Sequence, residues 1–87
     1  MELFEETKKQ YDHKRMFNYY LDKLSEKFEG KLMLSRKDVA NTLSMSESTL
    51  YRNMQKEADL PKFKKIGGGH YYFPLDGVAK WMAKQAS

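Results

Sequence analysis

The sequence predicts a mainly α-helical fold carrying one small β-hairpin, and three observations predict it. Apolar residues recur at helical spacing in the first thirty positions, at Phe17, Tyr20, Leu21, Leu24 and Phe28, the stripe of an amphipathic helix. The stretch SRKDVANTLSMSESTLYRNMQK, Ser35 to Lys56, reads as two short helices separated only by Ser44, Met45 and Ser46. Two β-prone runs then flank three consecutive glycines in KFKKIGGGHYYF, the pattern of a hairpin. With 87 residues, 40% hydrophobic and 14% aromatic, the chain forms one modest core and has little room for a deep catalytic cleft.

The first helix occupies residues 1–30. Gly30 closes it in the left-handed position that follows a helix, and Glu2, Glu5 and Glu6 lie near its positive end. Tyr11 and Tyr19 fall off the stripe. The stripe has two uses: it covers the rest of the domain, or Phe17, Tyr20, Leu21, Leu24 and Phe28 form a dimerisation surface, in a span too short in heptads for a coiled coil. KLMLS follows as a short apolar entry, with Leu32 and Leu34 on one side if it is extended. Ser35 then caps RKDVANTL, which buries Val39, Ala40 and Leu43, and small Ala40 lets another helix approach.

Ser46 caps ESTLYRNMQKEA, with Glu47 at the positive end and with Leu50 and Met54 holding the helix down. In the hairpin, Phe63, Ile66, Tyr71 and Phe73 supply the inner side, while Lys64 and Lys65 interrupt the alternation as a bulge would. Pro74 fits the first turn of a closing helix, LDGVAKWMAK, whose Leu75, Val78, Trp81 and Met82 face the core and which Gly77 weakens locally.

Several chemistries are disfavoured by composition. The chain has no cysteine, which removes disulfides, thiol catalysis and cysteine-containing zinc sites. His13 and His70 lie far apart with no carboxylate cluster around either, so no metal and no cofactor is expected. Ser46, Ser48 and His70 lack a general base with an orienting acid, so no catalytic residue is assigned and no enzyme is expected. The N-terminus begins with acids and no run of 18 apolar residues occurs; the expectation is a cytoplasmic protein without signal peptide or membrane span.

Charge points elsewhere. Residues 1–30 hold six Lys/Arg against seven Asp/Glu, net −1, whereas residues 31–87 hold ten against five, net +5. A basic surplus confined to one segment is a candidate phosphate-binding surface. Within that segment, two helices joined by a three-residue turn form the helix-turn-helix pattern, in which the second helix stands clear of the first and enters a major groove. With Leu50 at the centre of the buried side, a rotation of 100° per residue brings Ser48, Arg52 and Gln55 within about 40° of the opposite side, flanked by Thr49 and Lys56. Arginine suits guanine, glutamine suits adenine, and small hydroxyls suit either base or phosphate. Ser48, Thr49, Arg52 and Gln55 are therefore the base-contact candidates.

The hairpin carries Lys62, Lys64 and Lys65 before its glycines and His70 and Tyr71 after them. That is the form of a wing, whose glycine tip lets backbone approach a phosphate or a narrow groove. The backbone-contact candidates are Ser46, Lys56, Lys64, Lys65, Gly68, His70 and Tyr71. The glycine run is not a dinucleotide fingerprint, because no strand-then-helix context surrounds it.

The segment from Met33 to Met82 resembles the small winged-helix proteins of the excisionase and AlpA-type group, distantly related to the DNA-binding domain of MerR regulators. The likeness rests on the order of elements, the segment S..TLYR, the LP before the first wing strand, the glycine tip, and a final short helix with a tryptophan. It implies a winged helix-turn-helix over residues 31–87, with Ser48, Thr49 and Arg52 in the major groove and Lys65 to His70 as the wing. Three features depart from the pattern: Ser44 stands where glycine is frequent, Asn53 where an apolar residue is common, and KFKKI is one residue longer than usual.

The resemblance implies a sequence-specific double-stranded DNA-binding protein of the phage or mobile-element kind. Its role would be that of a transcriptional regulator, or of an excisionase-like factor that bends DNA, with a recombinase or RNA polymerase as protein partner. The N-terminal helix, residues 1–30, lies outside the resemblance; from its stripe, homodimerisation is the expectation beside packing. Two alternatives stand: a winged helix that serves protein interaction without DNA, and a DNA-recognition domain like that of a terminase small subunit.

Overall fold

The computed structural model describes residues 2–86, with side chains from His13 onward. Its elements in chain order are α1 (Glu2–Lys27), β1 (Met33–Ser35), α2 (Arg36–Thr42), α3 (Glu47–Gln55), β2 (Lys64–Ile66), β3 (His70–Pro74) and α4 (Leu75–Ala86). The mainly helical prediction holds, and the hairpin gains a strand. KLMLS contributes β1, which pairs antiparallel with β3 on the edge opposite β2, giving the order β1-β3-β2. Leu34 lies opposite Phe73, and both are fully buried. This pair fastens the entry of the two-helix unit to the wing.

Three local expectations change. Leu32 does not share the side of Leu34: it is 76% exposed, because the strand begins only at Met33 and Leu32 sits in the bend before it. Its carbonyl accepts the Leu75 N–H at 2.8 Å, which fixes the start of α4. No bulge forms at the lysines, since Lys64↔Tyr72, Lys65↔Tyr71 and Ile66↔His70 pair in unbroken register. Ile66 is consequently a rim residue, 46% exposed, rather than part of the inner side. KFKKI is also shorter as a strand than it reads, with Lys62 and Phe63 outside β2. Pro74 ends β3 instead of opening α4.

Local signals account for the helix boundaries. Ser35 caps α2 with a full capping box: its hydroxyl accepts the Asp38 N–H at 3.1 Å, and its own N–H donates to Asp38 Oδ2 at 3.1 Å. Asp38 also takes the Lys31 ammonium at 3.1 Å. Burial opposes the charge on Asp38, yet the Ser35 backbone and side chain and the Lys31 ammonium outweigh it and hold the carboxyl below its ordinary value.

Three helices close alike. Gly30 donates to Ser25 and Glu29 to Glu26, Met45 to Ala40 and Ser44 to Asn41, Ala58 to Asn53 and Glu57 to Met54, each pair being a Schellman closure. The first left-handed residue is never glycine: it is Glu29 (φ 52°), Ser44 (φ 58°) or Glu57 (φ 55°). Gly30 thus follows the closing position instead of filling it. At Ser44 the same closure makes the turn between α2 and α3.

The core comprises Leu34, Val39, Leu50, Phe73 and Val78, all inaccessible to solvent, with Ala40, Met54, Leu75 and Ala79 around them. From α1 only Leu24 enters it fully among the described side chains; Phe17, Tyr20, Leu21 and Phe28 pack against it part-buried. The stripe packs on its own domain, and α1 runs along α4. Ala79 and Ala83 are buried on α4, while Trp81 and Met82 are only half-buried. Small side chains at those positions permit a second helix to lie close. Tyr19 is exposed beside Tyr20. The side chains of Tyr11, Glu2, Glu5 and Glu6 lie outside the described residues.

Candidate nucleic-acid interface

Burial of Leu50 and Met54 fixes the rotation of α3. Ser48, Arg52 and Gln55 therefore form an exposed outward row, and Lys56, the C-cap, is exposed at its end. Thr49 behaves differently. It is half-buried, its N–H donates to Ser46 Oγ at 3.1 Å, and its hydroxyl accepts from Ser46 Oγ at 2.9 Å. Ser46 and Thr49 thus form the cap that starts the helix, and both hydroxyls are engaged with each other.

The wing is attached to α3 by stacked rings. Tyr51 on α3 meets Tyr71 on β3 edge-on at 6.3 Å, Tyr71 meets Phe63 at 5.8 Å, and Phe63 meets the buried Phe73 at 5.5 Å. The first two contacts are edge-on and the third is tilted at 44°; edge-on rings at these separations attract through their quadrupoles as well as by burial. Two cations lie against this chain of rings: Arg36 with its guanidinium carbon 5.1 Å from the centre of Tyr51, and Lys65 with Nζ 6.0 Å from the centre of Tyr71.

Alternation along β2 separates the predicted wing lysines. Lys65 shares the Tyr71 side, toward α3, whereas Lys64 shares the side of Tyr72. Gly67 (φ 65°) and Gly69 (φ 102°) need their freedom for the hairpin turn; Gly68 does not, and a Cβ there would meet nothing within 4 Å. Nothing within the described fold requires glycine at residue 68. Two shallow depressions join the parts. One is lined by Arg36, Glu47, Ser48, Tyr51 and Arg52, and the other, which shares Arg36 and Glu47, reaches Lys37 and the wing residues Gly69, His70 and Tyr71.

Most of the predicted DNA-contact residues are thus assembled on one surface: Ser48, Arg52, His70 and Tyr71 around a common trough, with Lys65 beside Tyr71 and with Gln55 and Lys56 farther along α3. Arg36, Lys37 and Tyr51 belong to it too and were not selected from sequence. The signal for the first two was a pair of bases directly after the Ser35 cap, in the first turn of α2. Tyr51 falls on the flank of α3 by rotation, and its stacking on Tyr71 is a tertiary fact. The predicted dimerisation residues lie elsewhere, on the α4 side of α1. Among the described residues no cluster of three or more His, Asp or Glu is placed to hold a metal ion.

A short helix standing out over a tight turn, backed by a second helix and flanked by a basic hairpin, defines the class: a helix-turn-helix domain with a wing. The chain belongs to the helix-turn-helix domain family, whose family model matches residues 33–86, and membership implies DNA binding. No curated protein and no solved structure gives a significant match. The matched span leaves α1 outside it up to β1. No described helix is long and apolar enough to cross a membrane.

Proposed function

We propose that this chain is a sequence-specific, double-stranded DNA-binding protein of the phage or mobile-element kind. It acts as a transcriptional regulator or as an excisionase-like architectural factor, by contacts and not by catalysis. The observation that carries the reading is the exposed row Ser48–Arg52–Gln55 on α3, joined to the wing by a trough lined with Arg36 and Lys37. A B-form major groove about 12 Å wide accepts such a helix. With α3 seated, Arg52 pairs with guanine N7 and O6 and Gln55 with adenine, while Ser48 reaches a base or a phosphate. Arg36, Lys37 and Lys65 neutralise phosphates on either side and set the register, carrying no sequence information themselves. The Gly68 tip then approaches the sugar–phosphate backbone without a side chain in between.

The test is selection of bound sequences from a random duplex pool, followed by a salt titration on the selected site. The expected result is a defined motif whose affinity falls steeply between about 50 and 200 mM salt, as release of counterions from several phosphate contacts requires. An unenriched pool, or an affinity indifferent to salt, would contradict the reading. The shape of the motif separates the two roles: an inverted repeat fits a paired regulator, and tandem copies fit cooperative, excisionase-like binding.

A further inference from the structure

Arg36 differs from its neighbours in the way it is held. It opens α2 directly after the Ser35 cap and is half-buried. Glu47 lines both shallow depressions beside it, yet among the described residues Arg36 makes no ion pair and no hydrogen bond. Its guanidinium lies instead over the ring of Tyr51 on α3, with Cζ 5.1 Å from the ring centre. Lys37, the next residue, is exposed, and among the described residues no ring lies beneath it.

A carboxylate and a ring hold an arginine with different consequences. A carboxylate takes up N–H donors and offsets the charge, whereas a ring attracts the cation through its quadrupole and leaves both in place. A guanidinium held over a ring therefore gives up rotamer freedom before a ligand arrives and keeps its fork of donors, which fits a phosphate bidentately. The ring is itself supported. Tyr71 of the wing meets Tyr51 edge-on at 6.3 Å, and Tyr71 continues through Phe63 to the buried Phe73. The Tyr51 hydroxyl takes no part in this support, since among the described residues it has no hydrogen-bond partner.

We propose that Tyr51 is a positioning residue for DNA binding: its ring presents the Arg36 guanidinium to a backbone phosphate beside the groove that α3 enters. The inference rests on the DNA-binding reading above and adds to it the means by which one phosphate contact is set in advance. A phosphate contact carries no sequence information. Its loss weakens the selected site and random duplex alike, and it depends on the ring of Tyr51 and not on the phenol oxygen.

Salt titrations of full-length chains on the selected site and on random duplex test it. One lost phosphate contact flattens the slope of log affinity against log salt by about 0.9. Arg36→Ala and Tyr51→Leu should each show that loss on both DNAs, and Tyr51→Phe should keep the wild-type slope. Arg36→Ala added to Tyr51→Leu should flatten the slope no further. Lys37→Ala added to Tyr51→Leu should still subtract its own full contribution, which a general collapse of the surface would not allow. Thermal melting by circular dichroism identifies any variant that fails to fold, and if Tyr51→Leu is one, Tyr51→Phe and Arg36→Ala still decide. Additive losses for Arg36→Ala and Tyr51→Leu, a flattened slope in Tyr51→Phe, a wild-type slope in Arg36→Ala, or a Lys37→Ala loss that vanishes beside Tyr51→Leu would overturn the positioning. Each of these leaves the DNA-binding reading intact. A wild type without salt-dependent binding would overturn that reading, and the positioning with it.

Discussion

Ser44 shows how one residue sets the geometry on which the function depends. It holds φ at 58°, where a side chain crowds the following carbonyl at a cost of about 1 kcal/mol. Ser44→Gly should therefore raise stability by about 0.5 kcal/mol, the relieved strain less the extra freedom of glycine in the unfolded chain. Denaturant unfolding of the two proteins measures it, and a loss of stability would show that the serine side chain makes a contact worth keeping. Asp38 gives a second prediction, read from pH. Its carboxyl is held below the ordinary 3.8, so its stabilisation is fully present above the unfolded value and is lost as pH falls through the lower folded value. Asp38→Asn should then lower the melting temperature at neutral pH, and the difference from wild type should shrink below about pH 4. A difference constant from neutral to strongly acidic pH would place the cost of the substitution in geometry rather than charge.

At the scale of elements, the features legible in the sequence are those that local chemistry decides. Serine caps, the apolar faces of α2 and α3 and the glycine hairpin each carry their signal within a few residues. What escaped depends on partners distant in the chain. Strand β1 is three residues long and exists because β3 offers a free edge; nothing within KLMLS announces that partner. The buried side of α4 was read as Leu75, Val78, Trp81 and Met82, yet the buried positions beyond Val78 are Ala79 and Ala83, because the position of α1 decides which flank is covered. The chain Arg36–Tyr51–Tyr71 was illegible for the same reason, since it joins residues of three separate elements. Helix α1 supplies the prediction at this scale. Leu24 is 3% exposed in the common core, so Leu24→Ala should destabilise the whole chain by about 2–5 kcal/mol in a single transition. Unchanged unfolding of residues 31–87 would mean instead that α1 is an appendage to an independent domain.

For the whole molecule, the distribution of charge matches the division of surfaces. The net +5 of residues 31–87 includes Arg36, Lys37 and Arg52, which line the depressions between α3 and the wing. The outward row of α3 was legible from rotation about Leu50, and the wing from its lysines and glycines; that the two share one surface required the fold. Everything proposed for function turns on that row reading bases. The direct test is the affinity of wild type and Arg52→Ala, at one fixed salt concentration, for the selected site and for random duplex. Loss of about 1–3 kcal/mol on the selected site with a much smaller loss on random DNA is the predicted result. An equal loss on both would make Arg52 a phosphate contact and contradict the claim that α3 reads the sequence.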